Sequence, residues 1–381
     1  MLVPLHASAQ HTAPLVDGLA AAARSVRAPF FFPGHKQGRW VPQVLRAKLG
    51  LGSRVLLHDL PELPELDNLF APEGVILRAQ ELAASAFGAE RTWFLVNGST
   101  SGVIAAIMAA VQVWRQQQRS RGGASRRPVV LLPRNVHKSA VHALVVSGAQ
   151  PCWLTPEVDA EHGLSLGVAT STVGAALQRF EGSVAAVLLV SPTYQGVLSD
   201  VGGCASLCAA AGVPLLVDEA HGAHLSFLDE TALLPAIWSG PGGRRPRGAL
   251  WEGADVVVQS THKVLGSMTQ SAMLHASARV LDAHPTLGPA LSESLELGTS
   301  SSPSYLLLAS LDAARWQLAS PLADGRERLH RATEHASALR AGVRALPHAP
   351  ALLELRAGPG VHSVRCCPRM LPEPSLPCAA E

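Results

Sequence analysis

Short runs of β-branched and aliphatic residues recur along this chain, and each ends in a small polar cluster. TWFLV (92–96) leads into NGST, PVVLL (128–132) into PRNVHKS, VLLV (187–190) into SPTY, VPLLV (213–217) into DEAH, and DVVV (255–258) into QSTHK. Helical patterns separate most of these runs. Apolar strands alternating with helices predict a mostly parallel sheet covered on both faces, an α/β architecture. In such a sheet ligands bind beyond the carboxyl ends of the strands, where all these polar clusters fall.

A chain of 381 residues with 48% hydrophobic content can bury a sizeable core, and its length suggests one large domain and a smaller one. Net charge is +2 and charged residues make up 16% of the chain, without a long basic run. That balance argues against nucleic acid or an anionic membrane as partner and favours a small-molecule substrate. No apolar run reaches the roughly 18 residues of a membrane span. The N-terminal MLVPLHASAQHTAPLVDGL is too short for a secretory signal and lacks its charged start.

The cysteines, at 152, 204, 208, 366, 367 and 378, form no CxxC pair and share no zinc-ligand spacing with histidine. This usage predicts a reducing compartment and no metal. Cys204 and Cys208 fall on one face of a helix, as buried packing.

Residues 14–28 space apolar side chains as an amphipathic helix, and FFFPGHKQGRW breaks it. HDLPELPELDNLFAPEG is too rich in proline for a regular element and belongs at a subunit contact or the rim of a site. Residues 75–88 read as a helix closed by Gly88. The glycine- and arginine-rich residues 239–253 read as a surface loop. Residues 278–297 and the second half of TSSSPSYLLLASLDAARWQL are helical, as is most of 321–357, and the proline-rich 358–381 reads as a disordered tail.

The polar clusters suit one cofactor chemistry. Pyridoxal phosphate needs a lysine that forms an imine, a carboxylate beside its ring nitrogen, a cup for its phosphate and a flat group over the ring. Lys263 supplies the amine at a strand end, beside Ser260, Thr261 and His262 as phosphate donors. Asp218 is placed for the ring nitrogen and His137 for the ring face. Thr193 or Tyr194 suits the phenolic oxygen. The NGSTSG turn aims a helix N-terminus at the same place, which favours an anion. A strand-ending aspartate, a structural histidine and a capped turn are the alternative readings of each piece alone.

FFFPGHKQG, DLPELPELDNLFAPEGVI, FLVNGSTSG, RNVHKSAVHAL, SPTYQGV, LVDEAHGAH, QSTHKVLGSMTQ and TSSSPSYLLLASLDAAR together resemble the ornithine/lysine/arginine decarboxylase family. The resemblance runs over about residues 14–320 and leans toward cyanobacterial and plant members. It implies the pyridoxal-phosphate-dependent transferase fold of type I, with residues 1–320 as the large domain and 321–357 as the start of a small, truncated C-terminal domain. In full-length members that domain continues for about a hundred residues more. By the same resemblance Lys263 carries the cofactor, Asp218 pairs with its ring nitrogen and His137 stacks on the ring. Ala220 packs on the opposite face and His221 lies close by. Ser99, Thr100, Ser260 and His262 form the phosphate cup, and Thr193 meets the phenolic oxygen. His35, Lys36 and the SSSPSY segment line the substrate entrance of an adjoining subunit in a homodimer. The chain departs from the family pattern at Phe31 and at Asp59, Leu60, Pro61 and Glu62.

The expected activity is α-decarboxylation of a basic amino acid, arginine first, then lysine or ornithine, for polyamine biosynthesis in the cytoplasm or a plastid. Two other readings stand beside it. One is an aminotransferase or aldolase on the same fold, and the other is a non-catalytic relative that binds a full-length decarboxylase.

Overall fold

The computed structural model describes residues 10–25, 28–49, 53–122, 126–159, 163–228 and 248–345. The N-terminal part carries α1 (Pro14–Ser25), α2 (Gln43–Leu49), α3 (Ser53–Leu56) and α4 (Val75–Phe87). Between α3 and α4 the prolines leave only a 3-10 turn at Pro64–Leu66. β1 (Arg91–Leu95), α5 (Gly98–Ser120), β2 (Val129–Pro133), α6 (Lys138–Ser147) and β3 (Gln150–Leu154) follow. A hairpin of β4 (Val158–Asp159) and β5 (Leu164–Ser165) precedes α7 (Thr170–Arg179), β6 (Val184–Val190), α8 (Val201–Ala211) and β7 (Leu215–Asp218). The remaining elements are β8 (Val256–Gln259), α9 (Thr261–Val264), β9 (Ala272–Ala276), α10 (Ala278–Ala283), α11 (Leu287–Leu297), α12 (Tyr305–Ala319) and α13 (Gly325–Ala345).

The larger sheet has seven strands in the order β1-β9-β8-β7-β6-β2-β3. All pairs from β8 to β3 are parallel, and β9 is antiparallel to both its neighbours. Alternation along each strand divides the interior into two layers, because successive side chains leave opposite faces. Val130, Leu132, Ala185, Leu188, Leu216, Val256 and Val258 pack toward α5, α10 and α11. Their neighbours Val129, Leu131, Val187, Leu189, Leu215, Val217 and Val257 pack toward α7 and α8. With both faces covered, these strands read as unbroken apolar runs. A further core joins α1, α4 and α12 to the β1 edge through Leu15, Ile76, Phe87, Phe94 and Tyr305.

Several expectations need adjustment. The first helix stops at Ser25, and residues 26–27 lie outside the described residues. The 239–253 stretch is described only from Gly248, and Ala249, 2% exposed, is core there and not surface. β9, within SAMLHAS, carries no strong strand pattern and inserts between β1 and β8 by pairing with both. The 358–381 tail lies outside the described residues, as does 346–357 of the small-domain segment. No helix among the described residues is long and apolar enough to cross a membrane.

Candidate active site

Because β6, β7 and β8 run parallel in register, Val190 lies beside Asp218 and Asp218 beside Val258. Their carboxyl ends, with the turn after β1 and the segment before α6, enclose a cavity of about 380 Å³. All the residues expected to hold the cofactor except Thr261 line it: Ser99 and Thr100 at the start of α5, His137 before α6, Thr193 after β6, Asp218, Ala220 and His221 at the end of β7, and Ser260, His262 and Lys263 after β8.

One wall suits an anion. The Ser99 and Ser260 hydroxyls face each other at 2.6 Å, and Ser260 is fully buried. α5 begins at Gly98 with φ +76, a conformation that glycine adopts without strain. The Gly98 amide donates to the Gln270 carbonyl oxygen at 2.8 Å, and Asn97 makes no side-chain cap, so the Ser99 and Thr100 amides and the dipole of a 23-residue helix face the cavity. His262 Nδ1 donates to the Ser271 carbonyl oxygen at 2.8 Å, which fixes the ring at the rim. Thr261 behaves otherwise than expected from the Ser-Thr-His run. α9 makes one turn here, so Thr261 is fully buried away from the cavity, and its Oγ1 has no partner among the described residues.

The amine also lines the cavity. Lys263 Nζ lies 3.2 Å from His221 Nε2, and the Tyr194 ring packs on the His221 ring at 4.8 Å. Burial lowers the His221 pKa below 6.5, and the charges of Lys263 and His137 lower it further. Both effects favour the neutral ring of His221 beside the Lys263 amine.

Asp218 closes the floor. It is 6% exposed, and its Oδ1 accepts the Ala220 amide hydrogen at 3.1 Å. Burial raises its pKa, opposed by that amide, by His137 and by Lys263. A buried carboxylate facing a cavity is stabilised by a cationic group set against it, which a protonated ring nitrogen is. His137 Nδ1 lies 2.9 Å from the Ser139 hydroxyl and 3.3 Å from the Ser139 backbone nitrogen, contacts that fix the ring before α6. The Thr193 oxygen accepts the Val197 amide at 3.2 Å and keeps its own hydrogen to donate. An uncapped helix end, paired hydroxyls, a buried acid and a free amine are a donor set that fits pyridoxal phosphate.

Asn135, Ser165, Val190 and Gln195 also line the cavity. No pattern in the sequence singled them out, since Ser165 arrives on a two-residue strand and Asn135 on a turn. His35 and Lys36 stand outside this cavity. The Gly38 amide donates to His35 Nδ1 at 3.1 Å, His35 Nε2 meets Asp59 Oδ2 at 3.0 Å, and Lys36 Nζ donates to the Phe31 carbonyl at 2.5 Å. Cys204 and Cys208 are fully buried, and burial pushes both thiols up to about 12, so they pack as small apolar groups. Among the described residues no cluster of acids, histidines and cysteines could hold a metal.

Comparison with known proteins decides the family. Residues 13–358 match the model for the major domain of Orn/Lys/Arg decarboxylase. The chain belongs to the Orn/Lys/Arg decarboxylase family. It is 37% identical over 310 residues to the arginine decarboxylase of Bacillus subtilis (strain 168), covering 81% of this chain and 56% of that protein. With the arginine decarboxylase of Halalkalibacterium halodurans it shares 36% identity over 312 residues, 82% of this chain and 56% of the relative. The structure of the constitutive lysine decarboxylase of E. coli superposes with a TM-score of 0.68 at 23% identity, over 93% of this chain and 47% of that one, a likeness of fold. This Orn/Lys/Arg decarboxylase family chain thus spans a little over half the length of these two relatives. Membership of the family implies pyridoxal phosphate as cofactor.

Proposed function

We propose that this chain binds pyridoxal phosphate and decarboxylates a basic amino acid, arginine before lysine or ornithine, to the corresponding amine, a precursor in polyamine biosynthesis. The observation that carries this reading is the convergence of Lys263, His221, Asp218 and the Ser99–Ser260 pair on one cavity. Identity to arginine decarboxylases supports arginine as the first substrate. These relatives are bacterial, which supports the cytoplasm over a plastid.

When bound, the cofactor supplies an aldehyde for an amine and a protonated ring that takes up the electrons left as carbon dioxide departs. The side chains of Ser99, Thr100, Ser260 and His262 and the Ser99 and Thr100 amides of α5 would hold the phosphate. Asp218 would hold a proton at the ring nitrogen, and His137 and Ala220 would confine the ring between them. Thr193 would donate to the phenolic oxygen. Lys263 needs an unprotonated Nζ to act as nucleophile, and His221 at 3.2 Å holds that Nζ in place. The same pair can return a proton to the substrate's α-carbon after carbon dioxide leaves.

The division into a large domain (1–320) and the start of a small one (321–357) is part of this reading, as is a homodimer whose partner brings His35, Lys36 and the 300–305 segment to the entrance. The test is the visible spectrum of the chain purified with pyridoxal phosphate, followed by arginine, lysine and ornithine separately with carbon dioxide trapped. A cofactor band lost in Lys263→Ala, and gas released first from arginine, supports the reading. A band that Lys263→Ala leaves unchanged overturns it.

A further inference from the structure

Behind the cavity lies a set of buried polar side chains that the mechanism above does not use. Glu219 follows Asp218 and Gln259 precedes Ser260, so strand alternation sends both side chains to the side away from the cavity. There they meet. Gln259 Nε2 donates to Glu219 Oε2 at 2.7 Å, and the Ala249 amide donates to Glu219 Oε1 at 2.7 Å. His275 Nε2 lies 3.1 Å from Gln259 Oε1, and the Thr92 hydroxyl 2.8 Å from His275 Nδ1. Glu219, Gln259, His275 and Thr92 are each at most 2% exposed.

The order of donors is set from the Glu219 end, since the Thr92 hydroxyl can donate or accept. The Glu219 carboxyl accepts from Gln259 at Oε2 and from Ala249 at Oε1, which turns the Gln259 amide oxygen toward His275. That oxygen needs a donor, so the ring proton sits on Nε2, and Nδ1 accepts from Thr92. The chain of bonds crosses β7, β8, β9 and β1 in one direction. Buried networks with every member satisfied fix one arrangement of the backbone that carries them.

The position of the network gives it a role. The backbone ladder between β7 and β8 ends where the Glu219 amide donates to the Val258 carbonyl at 2.9 Å. Beyond that bond the two strands part, one into Ala220 and His221, the other into Ser260 and Lys263. The Glu219–Gln259 bond is the next rung after the ladder stops. Ala249 and nearby Glu252, which also raises the Glu219 pKa, belong to the turn packed behind it.

We propose that Glu219 is a positioning residue for the candidate active site: with Gln259 it forms a buried side-chain rung that fixes the spacing between Asp218 and Ser260–Lys263, while His275 and Thr92 orient it. The inference rests on the cofactor reading given above. Glu219→Gln sets an amide NH2 against the NH2 of Gln259 or the N–H of Ala249, and Gln259→Glu sets two carboxyl groups against each other in place of the amide donor. Exchanging the two groups restores every bond, because the amide at 219 then donates to the carboxylate at 259, which still accepts from His275.

The experiment titrates pyridoxal phosphate into wild type, Glu219→Gln, Gln259→Glu and the double exchange, reading the visible band, its pH profile and the thermal midpoint without cofactor. Each single variant is expected to lose affinity on the order of tenfold and to alter the pH profile of the band. The exchange is expected to regain affinity to within about threefold of wild type. Singles that fold and bind as wild type does overturn the proposal, as does a folded exchange that fails to regain affinity. If the single variants do not fold, Thr92→Val keeps the shape and frees only the orientation of His275. A folded Thr92→Val is then expected to weaken binding by about two- to fivefold, and unchanged binding overturns the proposal. Wild type that binds no cofactor sinks the functional reading itself, a result distinct from variants that bind equally well.

Discussion

The Tyr305 hydroxyl donates to the Asp67 carbonyl oxygen at 2.5 Å, joining the start of α12 to a residue held at φ +71. The Asp67 carboxylate in turn accepts the amides of Asn68, Glu73, Gly74 and Ile76 at 2.7–3.1 Å, and so caps α4 from a loop. Burial alone would raise its pKa, but these amides outweigh burial and hold it below the ordinary value. Asp67→Ala is expected to cost about 1–2 kcal/mol in urea unfolding. Because the folded pKa is depressed, the wild-type advantage is present above the ordinary carboxylate range and is lost as pH falls through the folded value. An equal loss at every pH would contradict the capping role.

Asp312 and Arg315 form an ion pair on α12 with both side chains fully buried. Asp312 Oδ2 accepts the Leu15 amide at 2.9 Å, and Arg315 donates to Gln10 Oε1 at 3.0 Å and to the Thr12 carbonyl at 2.8 Å. The pair therefore ties the entry of α1 to α12. Asp312→Ala leaves a buried guanidinium without its charge partner and is expected to destabilise by about 3–5 kcal/mol, measured by denaturant unfolding. A loss below about 1 kcal/mol would show that water reaches the site.

The sheet and the cavity were legible in the sequence because parallel strands covered on both faces are apolar throughout and stop at polar clusters. The same logic missed β9, whose AMLHA lacks β-branched residues and is held by pairing with β1 and β8 on either side. It also misplaced Thr261, since one helical turn after β8 rotates that side chain into the core while Ser260 and His262 stay on the cavity. Glu219 was hidden within DEAH because its partners, Ala249, Gln259 and through it His275, are distant in sequence or belong to elements that local pattern did not reveal.

Gly102 sits where α5 crosses the sheet. A Cβ there would come within 2.7 Å of Val258 Cγ1 and 2.8 Å of Leu95 Cδ1, both buried. Gly102→Ala would push the first turn of α5, with Ser99 and Thr100, away from Ser260. The expected cost is about 1–3 kcal/mol of stability, with weaker cofactor affinity by titration. Unchanged affinity in a folded variant would show that the phosphate wall tolerates displacement of the helix.

His275 ties acid stability to the buried network. It is fully buried, and burial pushes its pKa from 6.5 down to about 3. Between these values the unfolded chain binds a proton that the folded chain does not, so this contribution to stability rises with pH, is complete above 6.5 and is lost as pH falls toward 3. Glu219 acts in the opposite sense: burial pushes its pKa from 4.5 up to about 8, so its contribution is present below 4.5 and is lost as pH rises toward 8. His275→Gln is expected to lower stability at about pH 7, through the altered bonds to Thr92 and Gln259, yet to lose less than wild type between about pH 7 and pH 5. Thermal or urea unfolding at the two pH values measures this. An acid loss as steep as that of wild type would assign the sensitivity to other groups.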